Sequence, residues 1–92
     1  MEVRFYIDPQ TNLPHVHRHN VTEEEVCDVL ARPGEDRLGE GGSRVAIGQT
    51  RAGRYLRGIY VPEPDTDSVF VVTAYELRGK PLTAYRRRRR RR

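Results

Sequence analysis

Three stretches in the second half of the chain have the composition and alternation of β-strands. They cover residues 43–50, 55–61 and 68–75, and only short turns separate them, the first of which is the glycine-containing segment 51–54. Alternation of apolar and polar residues is typical of strands, and strands joined by short turns lie antiparallel. Because residues 68–75 are the most apolar, we expect the third stretch to be a central strand. The pattern predicts an antiparallel sheet.

The first half of the chain predicts one strand and one helix. Residues 3–7 are β-branched and aromatic and predict the strand. A helix over residues 23–32 is expected because Thr22 and Glu25 have the spacing of a capping box, in which each side chain accepts from the other residue's backbone amide. Pro33 and the glycine after it end this helix.

The remaining segments predict connections and one short helix. Residues 35–42 are polar and rich in glycine and indicate a loop, while Pro14 interrupts any long helix between the first strand and Thr22. Residues 82–85 can begin a C-terminal helix. We therefore expect an α+β domain over residues 1–85, with a small antiparallel β-sheet and one or two helices packed on one face of it.

The basic character of the chain is concentrated in a C-terminal run of arginines. Seven of its seventeen basic residues form this run, so residues 1–85 hold ten basic against thirteen acidic residues, a net charge of −3, although the whole chain has +4. Such a run repels itself and is expected to be a disordered arm that binds nucleic acid through its phosphates. A solubilising tail or an arm that docks an antitoxin are the alternatives. The predicted tail consists of Arg86, Arg87, Arg88, Arg89, Arg90, Arg91 and Arg92.

Composition also predicts a cytoplasmic location. Cys27 is the single cysteine, so no internal disulfide can form, and no apolar run approaches the ~20 residues that span a bilayer. The first residues lack the charged-then-apolar pattern of a signal peptide.

Three blocks of sequence resemble the BrnT-like toxins of the RelE/ParE superfamily. Residues 18–26, Arg-His-Asn-Val-Thr-Glu-Glu-Glu-Val, resemble that family's Lys-His-Gly-Val-Ser-x-Glu-Glu-Ala segment. Residues 46–56, Ala-Ile-Gly-Gln-Thr-Arg-Ala-Gly-Arg-Tyr-Leu, are similar to its Ala-Ile-Gly-x-Thr-x-x-Gly-Arg-x-Leu hairpin. Residues 71–75 lie where the family has Ile-Ile-Ser-Ala-Arg, with Tyr75 in place of the arginine.

The resemblance implies a RelE-like fold and a type II toxin–antitoxin ribonuclease. Such a toxin cleaves RNA, in some cases ribosome-bound, without a metal or cofactor, and a small antitoxin protein neutralises it. Cleavage needs a base for the 2′-hydroxyl, an acid for the leaving oxygen and a cation for the phosphorane. We assign these tasks to His19, Arg51, Arg54 and Tyr75. Arg44 and Arg57 are added, with the tail, as nucleic-acid-binding residues.

Other interpretations of the same residues remain open. A histidine before a helix cap, arginines on a hairpin and a tyrosine at the end of a strand also have purely structural roles. If residues 15–19 were extended, the histidines at 15, 17 and 19 would share a side and resemble a zinc site, but no fourth ligand stands at a diagnostic spacing, so we expect no metal. Tyr75 in place of arginine favours the alternative of a catalytically silent nucleic-acid-binding module.

Overall fold

The computed structural model describes residues 1–90 and has an α+β fold. Five strands form one sheet in the order β1-β7-β6-β5-β4, and β2 and β3 form a separate two-stranded hairpin. A 3₁₀ helix, His15–His19, and another, Pro64–Thr66, complete the fold. The strands are β1 (Glu2–Phe5), β2 (Ile7–Asp8), β3 (Leu13–Pro14), β4 (Glu35–Leu38), β5 (Arg44–Gln49), β6 (Tyr55–Glu63) and β7 (Ser68–Glu76), and the helices are α1 (Glu23–Ala31) and α2 (Gly79–Arg90).

The predicted three-stranded unit is confirmed at the centre of the sheet. Strands β5, β6 and β7 are antiparallel, and Gly58 of β6 lies between Ala46 and Ala74 of its two neighbours. The turn after β5 is the predicted one, with Gly53 at a φ of 100°, which an L side chain rarely adopts. A register shift between Ile59 and Tyr60 interrupts the β6–β7 ladder.

Both edges of the sheet differ from expectation. Strand β1 pairs with β7 in parallel, so the sheet is mixed and not purely antiparallel. Residues 35–38, expected in a loop, form edge strand β4 against β5. Three of its four residues are exposed, which explains why the segment shows no apolar alternation. The first strand ends at Phe5, two residues earlier than predicted.

Helix α1 packs on one face of the sheet through an apolar core. The predicted capping box is confirmed: Thr22 Oγ1 accepts from the Glu25 amide, and Glu25 accepts from the Thr22 amide. Val26 and Val29 are buried against this face, together with Leu56. Gly48 allows the close approach, because a Cβ there would lie 3.3 Å from Val29 Cγ1.

Helix α2 packs on the opposite face, so the expectation that the helices share one face is wrong for α2. Its Tyr85 is buried in a second cluster with Val45 and Ile47, whose side chains alternate with Ala46 of the first core. Gly34 faces the same tyrosine so closely that an added Cβ would stand 1.8 Å from the phenol oxygen. The sheet is therefore covered on both sides.

The arginine run is helical as far as Arg90, which corrects the prediction of a disordered tail. Arg88 forms a two-pronged ion pair with Glu35 of edge strand β4, and Arg89 donates to the Gly34 carbonyl at 3.0 Å. Cations near a helix C-terminus also interact favourably with the helix dipole. These contacts offset the repulsion between neighbouring arginines. Arg91 and Arg92 lie outside the described residues.

No helix within residues 1–90 is long and apolar enough to cross a membrane.

Candidate active site

His19 and Tyr75 meet at one edge of the sheet. Strand β1 covers the β7 edge only as far as the pairing of Phe5 with Val71, and the 3₁₀ helix packs against β7. At its end the ring of His19 lies 6.0 Å from the ring of Tyr75, in an edge-on arrangement with an interplanar angle of 65°. The two predicted site residues from distant parts of the sequence are thus brought together, and His19 remains exposed.

Local backbone geometry fixes His19 in this place. Val16 is buried and anchors the 3₁₀ helix to the core. Asn20 then turns the chain with a left-handed φ of 59°, a conformation that asparagine tolerates, and its amide donates to the His17 carbonyl. The amide of Val21 donates to the Val16 carbonyl and closes the turn before α1.

Arg57 is the nearest strand neighbour of Tyr75 on the same sheet face. The two residues are direct partners in the β6–β7 register. The Nε atom of Arg57 is buried and has no hydrogen-bond partner among the described residues. Thr73 Oγ1, two residues before Tyr75, is in the same situation within the described chain. Buried polar groups in native proteins are nearly always hydrogen-bonded, to protein groups or to ordered water.

Behind His19 lies a second histidine held by a buried carboxylate. The rings of His15 and His19 are 5.3 Å apart. Nδ1 of His15 lies 3.2 Å from a carboxylate oxygen of Asp8, which is 4% exposed. The backbone amide of Gln10, with smaller contributions from His15 and Arg18, lowers the pKa of Asp8, so this carboxyl is ionised near neutral pH. The arrangement gives His15 a fixed orientation beside the candidate site.

Arg54 is close to this site but is already engaged. It donates to the Asn20 carbonyl at 2.7 Å, to Glu25 at 3.0 and 3.2 Å, and to Glu76 at 3.4 Å. It therefore links the turn after His19 to α1 and to the end of β7. This geometry makes Arg54 a positioning residue for the turn that carries His19.

Arg51 and Arg44 lie away from His19. The Arg51 side chain is exposed on the hairpin, and its backbone amide donates to Asp28 of α1. Arg44 forms an ion pair with Asp36 at 2.9 Å, and the same carboxylate accepts from the Tyr60 hydroxyl. The structure does not bring either guanidinium next to the His19–Tyr75 contact.

The arginines of α2 form a separate basic surface. Arg86 lies over the ring of Tyr55 at 5.8 Å, Arg87 is exposed, and Arg88 and Arg89 hold the helix to the β4 edge as described above. Arg90 lines a pocket with Arg86 and Arg89. Tyr55 and Arg57 are two residues apart on one strand, so this surface and Arg57 lie on the same side of the sheet.

The zinc-like spacing of the histidines does not produce a ligand cluster in the described chain. Because residues 15–19 are helical, His17 turns towards Glu23 and hydrogen-bonds its carboxylate, whereas His15 bonds Asp8. Across residues 1–90, no group of three histidine, cysteine, aspartate or glutamate side chains is placed to hold a metal. Burial raises the pKa of the Cys27 thiol, which argues against a nucleophilic role for it.

Two residues beside the candidate site, His15 and Asp8, have no catalytic role predicted from the sequence. His15 and His19 are four residues apart, a spacing that brings side chains together on a helix, but the sequence predicts no helix over residues 15–19, because Pro14 stands directly before them. Asp8 gave no signal, since it stands at the end of a strand before a proline. Only the fold brings Asp8 next to His15.

The arrangement can support proton transfer next to a bound phosphate. An imidazole exchanges protons near neutral pH, and a phenol can donate one or stack on a base. The Arg57 guanidinium can bind two phosphate oxygens at once. Comparisons of the chain with protein-family models, curated proteins and solved structures gave no match.

Proposed function

We propose that this protein is a metal-independent endoribonuclease, the toxin of a type II toxin–antitoxin pair, with His19, Tyr75 and Arg57 as its catalytic residues. The observation that carries the proposal is the contact between His19 and Tyr75 beside Arg57. The rings lie 6.0 Å apart, and Arg57 is the direct partner of Tyr75 in the β6–β7 register. An RNA phosphate bound by the guanidinium of Arg57 would stand next to both proton-transfer groups.

In the proposed reaction His19 removes the proton from a ribose 2′-hydroxyl. The 2′-oxygen attacks phosphorus, the bond from phosphorus to the 5′-oxygen breaks, and Tyr75 protonates that oxygen. The products are a 2′,3′-cyclic phosphate and a 5′-hydroxyl end. Arg57 stabilises the charge on the phosphorane, a contribution that is often the largest single one in such sites.

His15 and Arg54 position the imidazole of His19. Asp8 orients His15, whose ring packs on His19, and Arg54 holds the Asn20 carbonyl that follows His19 in the chain. Neither is required to touch RNA. They would limit the positions open to the imidazole, and proton transfer is sensitive to such misplacement.

Incubation of the purified protein with RNA tests the proposal. The reaction is run with chelator, with and without ribosomes, and the ends of the fragments are characterised. The proposal expects cleavage that chelator does not reduce and fragments that carry 2′,3′-cyclic phosphate and 5′-hydroxyl ends. Intact RNA under both conditions would refute it, and so would 5′-phosphate ends.

One observation favours a second candidate, a nucleic-acid-binding module without catalysis. Five consecutive arginines, 86–90, lie on an ordered helix next to the sheet, which suffices for phosphate binding. Binding with no cleavage under any condition would favour it. A cytoplasmic location and a small antitoxin that covers the β5–β6 hairpin and the His19–Tyr75 site belong to the first proposal. An antitoxin open reading frame adjacent to this one would support the antitoxin.

A further inference from the structure

A pocket of about 390 Å³ lies between the end of α1 and helix α2. It is on the sheet face that carries α2, and it is not part of the His19–Tyr75 contact. Its lining within the described chain contains no carboxylate. The polar side chains that line it are Arg32, Gln49, Tyr55, Tyr85, Arg86, Arg89 and Arg90.

Most of the guanidinium donors in this pocket are available to a ligand. Within residues 1–90, Arg32 and Arg90 form no ion pair within 4.0 Å, and Arg86 contacts the face of Tyr55. Arg89 uses one nitrogen on the Gly34 carbonyl. Arg88, which stands between Arg86 and Arg89 in the sequence, is neutralised by Glu35 and does not line the pocket. The fold therefore distinguishes this structural arginine from those that line the pocket. Four guanidinium groups thus converge on one space with no anion of the described chain among them.

Tyr85 adds a hydroxyl donor to the same space. Its ring is buried, and its oxygen faces Gly34, where even a methyl group would clash. No described residue forms a hydrogen bond with this hydroxyl. Burial raises the pKa of Tyr85, so the phenol keeps its proton at neutral pH and can donate a hydrogen bond to a ligand in the pocket.

We propose that this pocket binds a phosphomonoester, at the end of a nucleic-acid strand or on a free nucleotide. A phosphomonoester carries a charge of roughly −1.5 to −2 near pH 7 and presents three oxygens. An internal phosphodiester carries one charge and presents two. Four arginines and a hydroxyl match the first group better, because planar guanidinium forks bind pairs of phosphate oxygens. The site is independent of the cleavage proposed above.

Binding of short 2′-O-methyl RNA to the full chain tests this inference. These strands lack the 2′-hydroxyl and cannot be cleaved by the proposed reaction, so the result does not depend on catalysis. Three strands of one sequence are compared at fixed salt: one with a 5′-phosphate, one with a 3′-phosphate and one with hydroxyl ends. We expect at least one phosphorylated strand to bind about tenfold more tightly than the hydroxyl strand. Equal affinities for all three would overturn the proposal.

Point variants test whether the preference for phosphorylated strands arises from the pocket. Arg32→Gln and Tyr85→Phe should remove it, whereas Arg87→Gln, which removes the same charge from an exposed position of α2 outside the pocket, should keep it. The same loss in Arg87→Gln and Arg32→Gln would show a general charge effect and overturn the proposal. Adenosine monophosphate and adenosine are then used as competitors. Competition by the monophosphate alone identifies free nucleotides as ligands, and competition by neither restricts the site to strand ends.

Discussion

Arg54 donates to both carboxylate oxygens of Glu25, at 3.0 and 3.2 Å, across the space between the β5–β6 hairpin and helix α1. The same carboxylate completes the capping box at the start of that helix. One side chain therefore caps α1 and anchors the arginine, which in turn holds the carbonyl of Asn20. Arg54, which the sequence suggested as a phosphate ligand, is therefore part of the framework that holds helix α1 and the turn after His19.

Replacement of Arg54 by methionine is expected to destabilise the protein. The methionine keeps most of the apolar stem but leaves Glu25 and the Asn20 carbonyl without this donor, and hydrogen bonds to charged groups contribute about 1.5–3 kcal/mol. Because both side chains are about a quarter exposed, we expect a loss of about 1–2 kcal/mol. Urea unfolding measures it. Arg51→Met on the same hairpin is the control, and an equal effect of both changes would contradict the framework role.

The free energy of unfolding should fall at acid pH, because Glu25 and Glu35 become protonated there. The Thr22 amide, followed by Arg54, lowers the pKa of Glu25, and Arg88 lowers that of Glu35. Because these folded-state pKa values lie below the unfolded ones, the stabilisation is complete above about pH 5. It is lost as the pH falls through about 4 towards the folded-state values.

Glu25→Gln isolates one contribution to this acid sensitivity. It should flatten the fall of stability between about pH 5 and 3, because the carboxylate that must be protonated is gone. Glu24→Gln, at an exposed position of the same helical turn, should leave the slope unchanged. Thermal unfolding over this pH range gives the answer, and parallel curves for wild type and Glu25→Gln would contradict the assignment.

Gly34→Ala should disturb the packing of helix α2 against the sheet. The added Cβ would lie 1.8 Å from Tyr85 Oη and 3.0 Å from Cζ, so the buried ring has to move. Overpacking of this kind costs about 1–3 kcal/mol. Tyr85→Phe removes the closer atom, so the double variant should lose less stability than the sum of the single variants. Additive losses in urea unfolding would show that the two residues do not meet.

The local parts of the fold were predictable from local signals. The three central strands and the capped helix α1 follow from alternation, turn residues and the Thr22–Glu25 spacing. Strand β4 was missed because it is an exposed edge of charged residues, and pairing with β5 determines its conformation. The helix over the arginine run was missed for a related reason. Its ion pair with Glu35, from more than fifty residues away, is a long-range contact that no local pattern records.

The candidate site was predictable only in part. Residue type and family resemblance predict His19 and Tyr75 separately, and only the fold brings the two side chains together. Which arginine accompanies them depends on strand register: Arg57 pairs with Tyr75, whereas Arg54 lies at the end of the strand among carboxylates. The sequence cannot distinguish two arginines three residues apart, because the ion pairs that occupy one of them are formed by distant glutamates.

Affinity for single-stranded RNA should depend steeply on salt. Each neutralised phosphate contributes about −0.7 to the slope of log affinity against log salt, so engagement of about five arginines gives about −3.5. Glutamine at positions 86, 87 and 90 together retains helix propensity and the contacts of Arg88 and Arg89. The slope of this variant should be shallower by about 2. An unchanged slope would place the electrostatic binding surface elsewhere on the fold.

The most direct test of the account is the RNA cleavage rate of His19→Ala against that of His17→Ala. Both changes remove an exposed histidine from the same 3₁₀ helix, but only His19 contacts Tyr75, since His17 bonds Glu23. Loss of a proton-transfer group typically costs 10²–10⁴-fold. We predict a loss of about that size for His19→Ala and a rate within a few-fold of wild type for His17→Ala, both measured with chelator present. Equal rates for the two variants, or no cleavage by the wild-type protein, would contradict the account.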